Sequence, residues 1–247
     1  MAPLKTERLL FNNAHTLSAN RLYKVNESGQ LRINAGYTHD YRKQERGSQT
    51  QYFQEQDTIH TTEESHTRIR SDKAELSFNF ENNGTNHYFT NQFLATGNLE
   101  KSLTDFYHED TFRQQIRTNT VGIKNDLRNL WNRGKHALEF RSLIQYNHIP
   151  SQLSTNTIHQ KLNLNHFYTD NSFSLLKKMG NITQRYTGGA TTQTSNMKNE
   201  YSIYINPLWQ ASLNKLQGTL TVPLRWTQFI QGDYSRPTVN PSLYLLY

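Results

Sequence analysis

Along much of the chain apolar side chains fall on every second residue, the period of a β-strand with one face in an apolar medium. Leu31, Ile33, Ala35 and Tyr37 alternate with Arg32, Asn34, Gly36 and Thr38, and Ala74, Leu76, Phe78 and Phe80 alternate with Glu75, Ser77 and Asn79. The scheme returns at Val121, Ile123 and Leu127 against Lys124, Asp126 and Arg128, then at Leu138, Phe140, Ile144 and Tyr146 against Glu139, Arg141 and Gln145. It continues with Leu162, Leu164 and Tyr168 against Lys161, Asn163 and Asn165, and with Tyr201, Ile203, Ile205 and Trp209. The last such run sets Leu220, Val222, Leu224 and Trp226 against Thr219, Thr221 and Arg225. With further segments near 14–25, 85–96, 173–187 and 238–247 the pattern predicts roughly eleven strands. The pleat alternates sides, so Arg32, Glu75, Lys124, Arg141, Lys161 and Arg225 are expected on the face opposite the apolar set.

Turn chemistry adds an order to these strands. Compact signals sit at Asn26-Glu27-Ser28-Gly29, Glu81-Asn82-Asn83-Gly84, Asn132-Arg133-Gly134-Lys135, Thr169-Asp170-Asn171-Ser172 and Asn214-Lys215-Leu216-Gln217-Gly218. Between them lie longer polar connections, over residues 43–66, 97–111, 149–156, 187–198 and 230–237. Hairpins tight at one end and extended at the other are the pattern of a transmembrane β-barrel. The spacing of Leu99, Leu103, Phe106 and Tyr107 predicts a short helix inside one long connection. Tyr23, Phe80, Trp131 and Tyr168 lie close to short turns, as an interfacial girdle requires, and Tyr37, Tyr41, Tyr146, Trp226 and Phe229 are candidates for the opposite girdle.

Alternation alone fits both a membrane barrel and a soluble sandwich, which buries its apolar face. Composition narrows the choice little. No run reaches the eighteen or so apolar residues of a spanning helix, so contact with a bilayer requires strands. A mean hydropathy of −0.85 is compatible with strands that are apolar only at alternate positions. The net charge of +7 comes from scattered lysines and arginines, without a basic block, so nucleic acid is not expected as a partner. The first eight residues contain no apolar segment of a signal peptide.

Candidate chemistry is sparse. The absence of cysteine removes disulfides, thiolate metal sites and a cysteine nucleophile. His108-Glu109-Asp110 with Asp105 nearby is the densest group of potential ligands, but it lacks the glycine and carboxylate spacing of a calcium loop and reads as a solvated outer loop. His60 and His66 lack zinc spacing. Gly188-Gly189 precedes Ala190-Thr191-Thr192 rather than the lysine of a phosphate loop, and reads as a flexible loop. No Gly-x-Ser-x-Gly elbow occurs. Glu139 and Arg141 either line a lumen or pair with neighbouring strands. Asn83-Gly84-Thr85 and Asn181-Ile182-Thr183 match the glycosylation acceptor pattern, which matters only in a eukaryotic secreted protein. No catalytic, cofactor-binding or metal residue is expected.

Several segments carry a resemblance. Leu9-Leu10-Phe11-Asn12-Asn13-Ala14-His15, Ser18-Ala19-Asn20-Arg21-Leu22-Tyr23-Lys24, Asn125-Asp126-Leu127, Tyr146-Asn147-His148-Ile149-Pro150 and Arg236-Pro237-Thr238-Val239-Asn240-Pro241-Ser242-Leu243-Tyr244 resemble, in order, the barrel of TonB-dependent outer-membrane receptors of Bacteroidetes. The resemblance implies an all-β, antiparallel up-and-down transmembrane barrel wall, with residues 1–247 as a segment of about half the barrel, lacking signal peptide and plug domain. It also implies a place in the outer membrane of a Gram-negative bacterium and part of an energy-coupled importer for a bulky nutrient, without enzymatic activity. The partners would be outer-membrane lipid, the nutrient and, through the plug, the TonB energising complex. The competing expectation is a soluble all-β binding or adhesion module.

Overall fold

The computed structural model describes residues 13–53, 58–107, 111–213, 216–230 and 234–246. They form one antiparallel sheet of β1 (His15–Lys24), β2 (Gly29–Phe53), β3 (Thr58–Asn83), β4 (His87–Tyr107), β5 (Thr111–Arg133), β6 (His136–Thr155), β7 (His159–Met179), β8 (Ile182–Ser195), β9 (Asn199–Leu213), β10 (Leu216–Thr221), β11 (Leu224–Phe229), β12 (Tyr234–Val239) and β13 (Ser242–Leu246). Each strand from β1 to β9 pairs with its successor. Thereafter β9 pairs along its two halves with β10 and β11, so these two lie end to end as one interrupted row, and β13 and β12 form the next row in the same way. The interruptions fall at Val222-Pro223 and Asn240-Pro241, because proline has no N–H to give to a ladder. Val222 N donates to the Pro207 carbonyl and Asn240 N to that of Pro223, which bridges both breaks. Thirteen segments thus make eleven rows, and among the described residues no ladder joins β1 to β12 or β13.

The register sorts the side chains. Directly paired residues of an antiparallel ladder share a face. Leu31, Ile33 and Ala35 pair with Phe80, Phe78 and Leu76, Phe78 with Phe93, Ala95 with Ile123, Ile123 with Tyr146, and Tyr146 with Phe167. The same face passes through Phe173, Ala190, Ile203 and Ile205 to Leu220, Leu224 and Trp226. Arg32, Glu75, Lys124, Arg141 and Arg225 lie on the other face, as their sequence positions predict. In β5 the apolar set runs from Trp131 to Val121, ten residue steps apart. At about 3.3 Å per residue and a tilt near 40°, that span is about 25 Å high, the apolar height of an outer-membrane barrel.

Among the described residues no second layer covers either face. Among the described residues no hydrophobic side chain is buried, and Ile203 and Ile205 are 59% and 58% exposed. The buried side chains are small and polar, Ser71, Ser174, Thr191, Ser202 and Thr227 on the polar face, together with Asp105. The apolar face is not pure: Asn91, Asn125, Asn129, Ser142 and Asn171 stand on it. Ser142 Oγ donates to Asn171 Oδ1 at 2.6 Å and His87 Nε2 to Asn129 Oδ1 at 2.6 Å, so part of this polarity is satisfied between strands.

Several expectations are corrected. Thr169-Asp170-Asn171-Ser172 is no turn but the middle of β7; the chain reverses at Gly180-Asn181, where Gly180 takes φ +56°, a left-handed conformation suited to glycine. The phase of β7 follows: Phe167, Phe173 and Leu175 take the apolar side, Leu162, Leu164 and Tyr168 the polar side, and Lys161 the side opposite to the one expected. Tyr168 therefore leaves the girdle, as does Phe229, which stacks on Tyr234 at 4.7 Å. The stretches 97–107, 149–155 and 187–195 are strand rather than loop, as are the described parts of 43–66. The expected helix is part of β4: Leu99, Leu103 and Tyr107 are separated by four, an interval that keeps one face of a strand as well as of a helix, and pairing with β3 and β5 decides.

Candidate functional site: the polar face

Side chains of the polar face meet across strands because the register sets their rows. Asp126 of β5 and Arg141 of β6 form an ion pair at 3.1 Å, and Arg128 and Glu139 another at 2.5 Å. Of the two outcomes open to Glu139 and Arg141, pairing between neighbouring strands is the one observed. Further along, Tyr204 of β9 donates its hydroxyl to Asp170 of β7 at 2.9 Å, across the intervening β8. That crossing depends on Gly189. A Cβ there would lie 2.6 Å from the Tyr204 ring and 2.7 Å from the Asn171 carbonyl oxygen. Gly188-Gly189 is thus strand rather than flexible loop, and the missing side chain leaves the passage for tyrosine.

Arg225 of β11 lies over the Tyr204 ring at 5.4 Å, and beside it Ser202 and Thr227 share a buried hydrogen bond of 2.9 Å. Toward β1 the face is more open: Ser18, Asn20, Asn34, Lys73, Glu75 and Thr96 surround a depression of about 400 Å³, with Asn34 Nδ2 donating to Ser77 at 2.9 Å. Such a face, lined with amides, hydroxyls and both signs of charge, is wettable and offers solute many weak contacts. Among the described residues it presents no nucleophile aligned with a base.

The remaining sequence candidates lie elsewhere. Asp105 is on the apolar side, beyond the apolar band, holding Arg113 at 2.6 Å and Arg68 at 2.9 Å. The hydrogen bond from Arg113, then its charge and the Arg68 bond, holds the Asp105 carboxyl below the ordinary carboxylate range. His108-Glu109-Asp110 lie outside the described residues, as does the His60 side chain. His66 approaches Glu45 at 3.3 Å and meets the Tyr107 ring edge-on at 5.2 Å. Among the described residues no group of three potential ligands gathers around a metal position. Asp170, Tyr204 and Gly189 were the residues that sequence reasoning passed over as a unit; a tyrosine at a polar phase between Ile203 and Ile205 was the available signal.

No family model and no curated protein matches the chain. Among solved structures, the β domain of the Bordetella autotransporter BrkA is similar over 94% of this chain and 95% of its own, at 8% identity and a TM-score of 0.36. The ferric yersiniabactin uptake receptor FyuA from Yersinia pestis is similar over 88% of this chain and 42% of its own, at 7% identity and 0.39. OmpT of Vibrio cholerae is similar over 94% and 91%, at 8% identity and 0.36. Likeness at this level carries no argument, so the reading below rests on the chain's own sheet.

Proposed function

We propose that this chain is a section of a transmembrane β-barrel wall in the outer membrane of a Gram-negative bacterium, and that it serves import rather than bond-making chemistry. The observation that carries the reading is a single antiparallel sheet, with no covering layer among the described residues, whose apolar face is about 25 Å high and exposed. A bilayer supplies the missing apolar medium, and the polar face then borders water. The finer assignment to a TonB-dependent importer of Bacteroidetes rests on the sequence resemblance. There the rest of the barrel, the plug, the energising complex and a bulky nutrient would lie outside this segment.

The asparagines on the apolar face favour a second reading, a soluble all-β binding module. One experiment separates them. Cysteines placed singly in the protein at Lys135 and Thr157 stand at opposite ends of the strands, in a chain with no native cysteine. In intact cells an impermeant maleimide should label position 157 and leave 135 unlabelled, and the protein should fractionate with the outer membrane. A detergent-free, monodisperse protein labelled at both positions establishes the soluble module instead.

A further inference from the structure

Above the apolar band the same face turns cationic. The register sets Arg70 of β3, Lys101 of β4 and Arg117 of β5 in one row, each directly beside the next on adjacent strands. Like charges directly opposite each other in a ladder destabilise it. Arg70 has Asp72 at 3.3 Å, a carboxylate already shared with Tyr37 and His39. Among the described residues Lys101 makes no ion pair. All three side chains are exposed.

Their neighbours on this face add Lys43, Arg68, Arg113 and Lys161, against the carboxylates Glu45, Glu64, Asp72 and Asp105. The excess charge is therefore positive, and it is concentrated where the row itself contains no acid. Height is the second observation. Lys101 stands two residues beyond Leu99, with Leu103 two further on, and Arg117 stands four beyond Val121, the last apolar position of β5 on this face. With about 3.3 Å per residue and a tilt near 40°, the cations sit about 5 to 10 Å above the level of Leu99 and Val121. A bilayer's polar interfacial layer starts at the edge of the hydrocarbon and is about 5 to 7 Å thick per side, so headgroups lie within reach of an arginine or lysine stem at this height.

We propose that the Arg70–Lys101–Arg117 row docks the phosphate groups of anionic lipids in the outer leaflet. Guanidinium groups bind phosphate in a fork and the ammonium acts as a point charge between them, so one phosphate lying over the row relieves the repulsion among the three cations. The inference rests on the membrane reading above, since only a bilayer places headgroups at this height.

The test uses the full-length protein reconstituted into phosphatidylcholine vesicles with and without a minor fraction of phosphatidic acid. Flotation scores insertion, and mass spectrometry of the detergent-extracted protein scores lipid retention. Wild-type protein should retain phosphatidic acid over phosphatidylcholine by about tenfold or more, given that each cation near an anionic surface contributes about fivefold. The R70Q/K101Q/R117Q variant should float normally and lose the preference, R70K/R117K should keep most of it, and R32Q/K73Q/K124Q on the polar face should leave it intact. Equal retention of both lipids by floating wild-type protein overturns the proposal alone. So does an unchanged preference in the triple glutamine variant, or full displacement by millimolar inorganic phosphate, which would make the row a site for free anions. Wild-type protein that does not float overturns the membrane reading as well.

Discussion

Replacing Ile205 with arginine puts a charge at the centre of the apolar face. Ile205 lies four residues from Trp209 and four from Tyr201 on the same side of β9, about 10 Å from each along the membrane normal at the tilt used above. It is 58% exposed, so the new side chain meets the surrounding medium rather than a packed neighbour. In lipid an arginine at midplane costs about 2 to 4 kcal/mol, a shift of about 30-fold to nearly a thousandfold in the folding equilibrium. The matched change is Gln92→Arg, an exposed position on the polar face directly beside Asp126, where the cost should stay below about 0.5 kcal/mol. The assay is urea-dependent folding of the full-length protein into phosphatidylcholine vesicles, followed by tryptophan fluorescence. Equal costs for both variants, or a negligible cost for Ile205→Arg, would refute the assignment of the apolar face to lipid.

Other expectations follow from individual contacts. Gly189→Ala should cost about 1 to 3 kcal/mol in the same titration by forcing the Tyr204 ring off β8, whereas Tyr204→Phe should cost about 1.5 to 3 kcal/mol for its bond to a carboxylate. The double variant should cost less than the sum, because both changes remove one bond. Gly180→Ala should destabilise by about 1 to 2 kcal/mol, since φ +56° is strained for a residue with a Cβ. Asp105, held below its usual pKa by Arg113 and Arg68, contributes stability that is full above the ordinary carboxyl pKa of 3.8 and fades as pH falls through the lower folded value. The Asp105→Asn protein should lack that acid-side loss in a pH series of melting curves.

The eleven-row plan was legible because period two survives in each strand even at low overall hydropathy. Leu31 to Tyr37 and Ala74 to Phe80 needed no partner to reveal their faces. What failed was local punctuation. Thr169-Asp170-Asn171-Ser172 has the composition of a turn, but Asn171 and Asp170 find partners in Ser142 and Tyr204, residues 29 and 34 positions away, and those bonds keep the stretch extended. At Leu162, Leu164 and Lys161 local alternation points to one phase and the pairing with β6 imposes the other. Long polar stretches read as loops because above the apolar band a strand no longer needs alternation; paired backbone holds β2 to β3 together as far as Phe53 and Thr58. On the polar face the ion pairs of Glu139 and Arg141 followed from strand proximity. The Asp170–Tyr204 bond over Gly189 spans two strands, and only the register of β7, β8 and β9 brings it together.

The most direct measurement of the central claim is a nitroxide scan of residues 201–209 in the full-length protein in vesicles, comparing collisions with oxygen, which dissolves in lipid, and with a water-soluble nickel chelate. Oxygen contact should peak at positions 201, 203, 205, 207 and 209 and nickel contact at 202, 204, 206 and 208, following the alternation of β9. Nickel contact at both sets, or protection of the odd positions from both reagents, would contradict a lipid-facing wall.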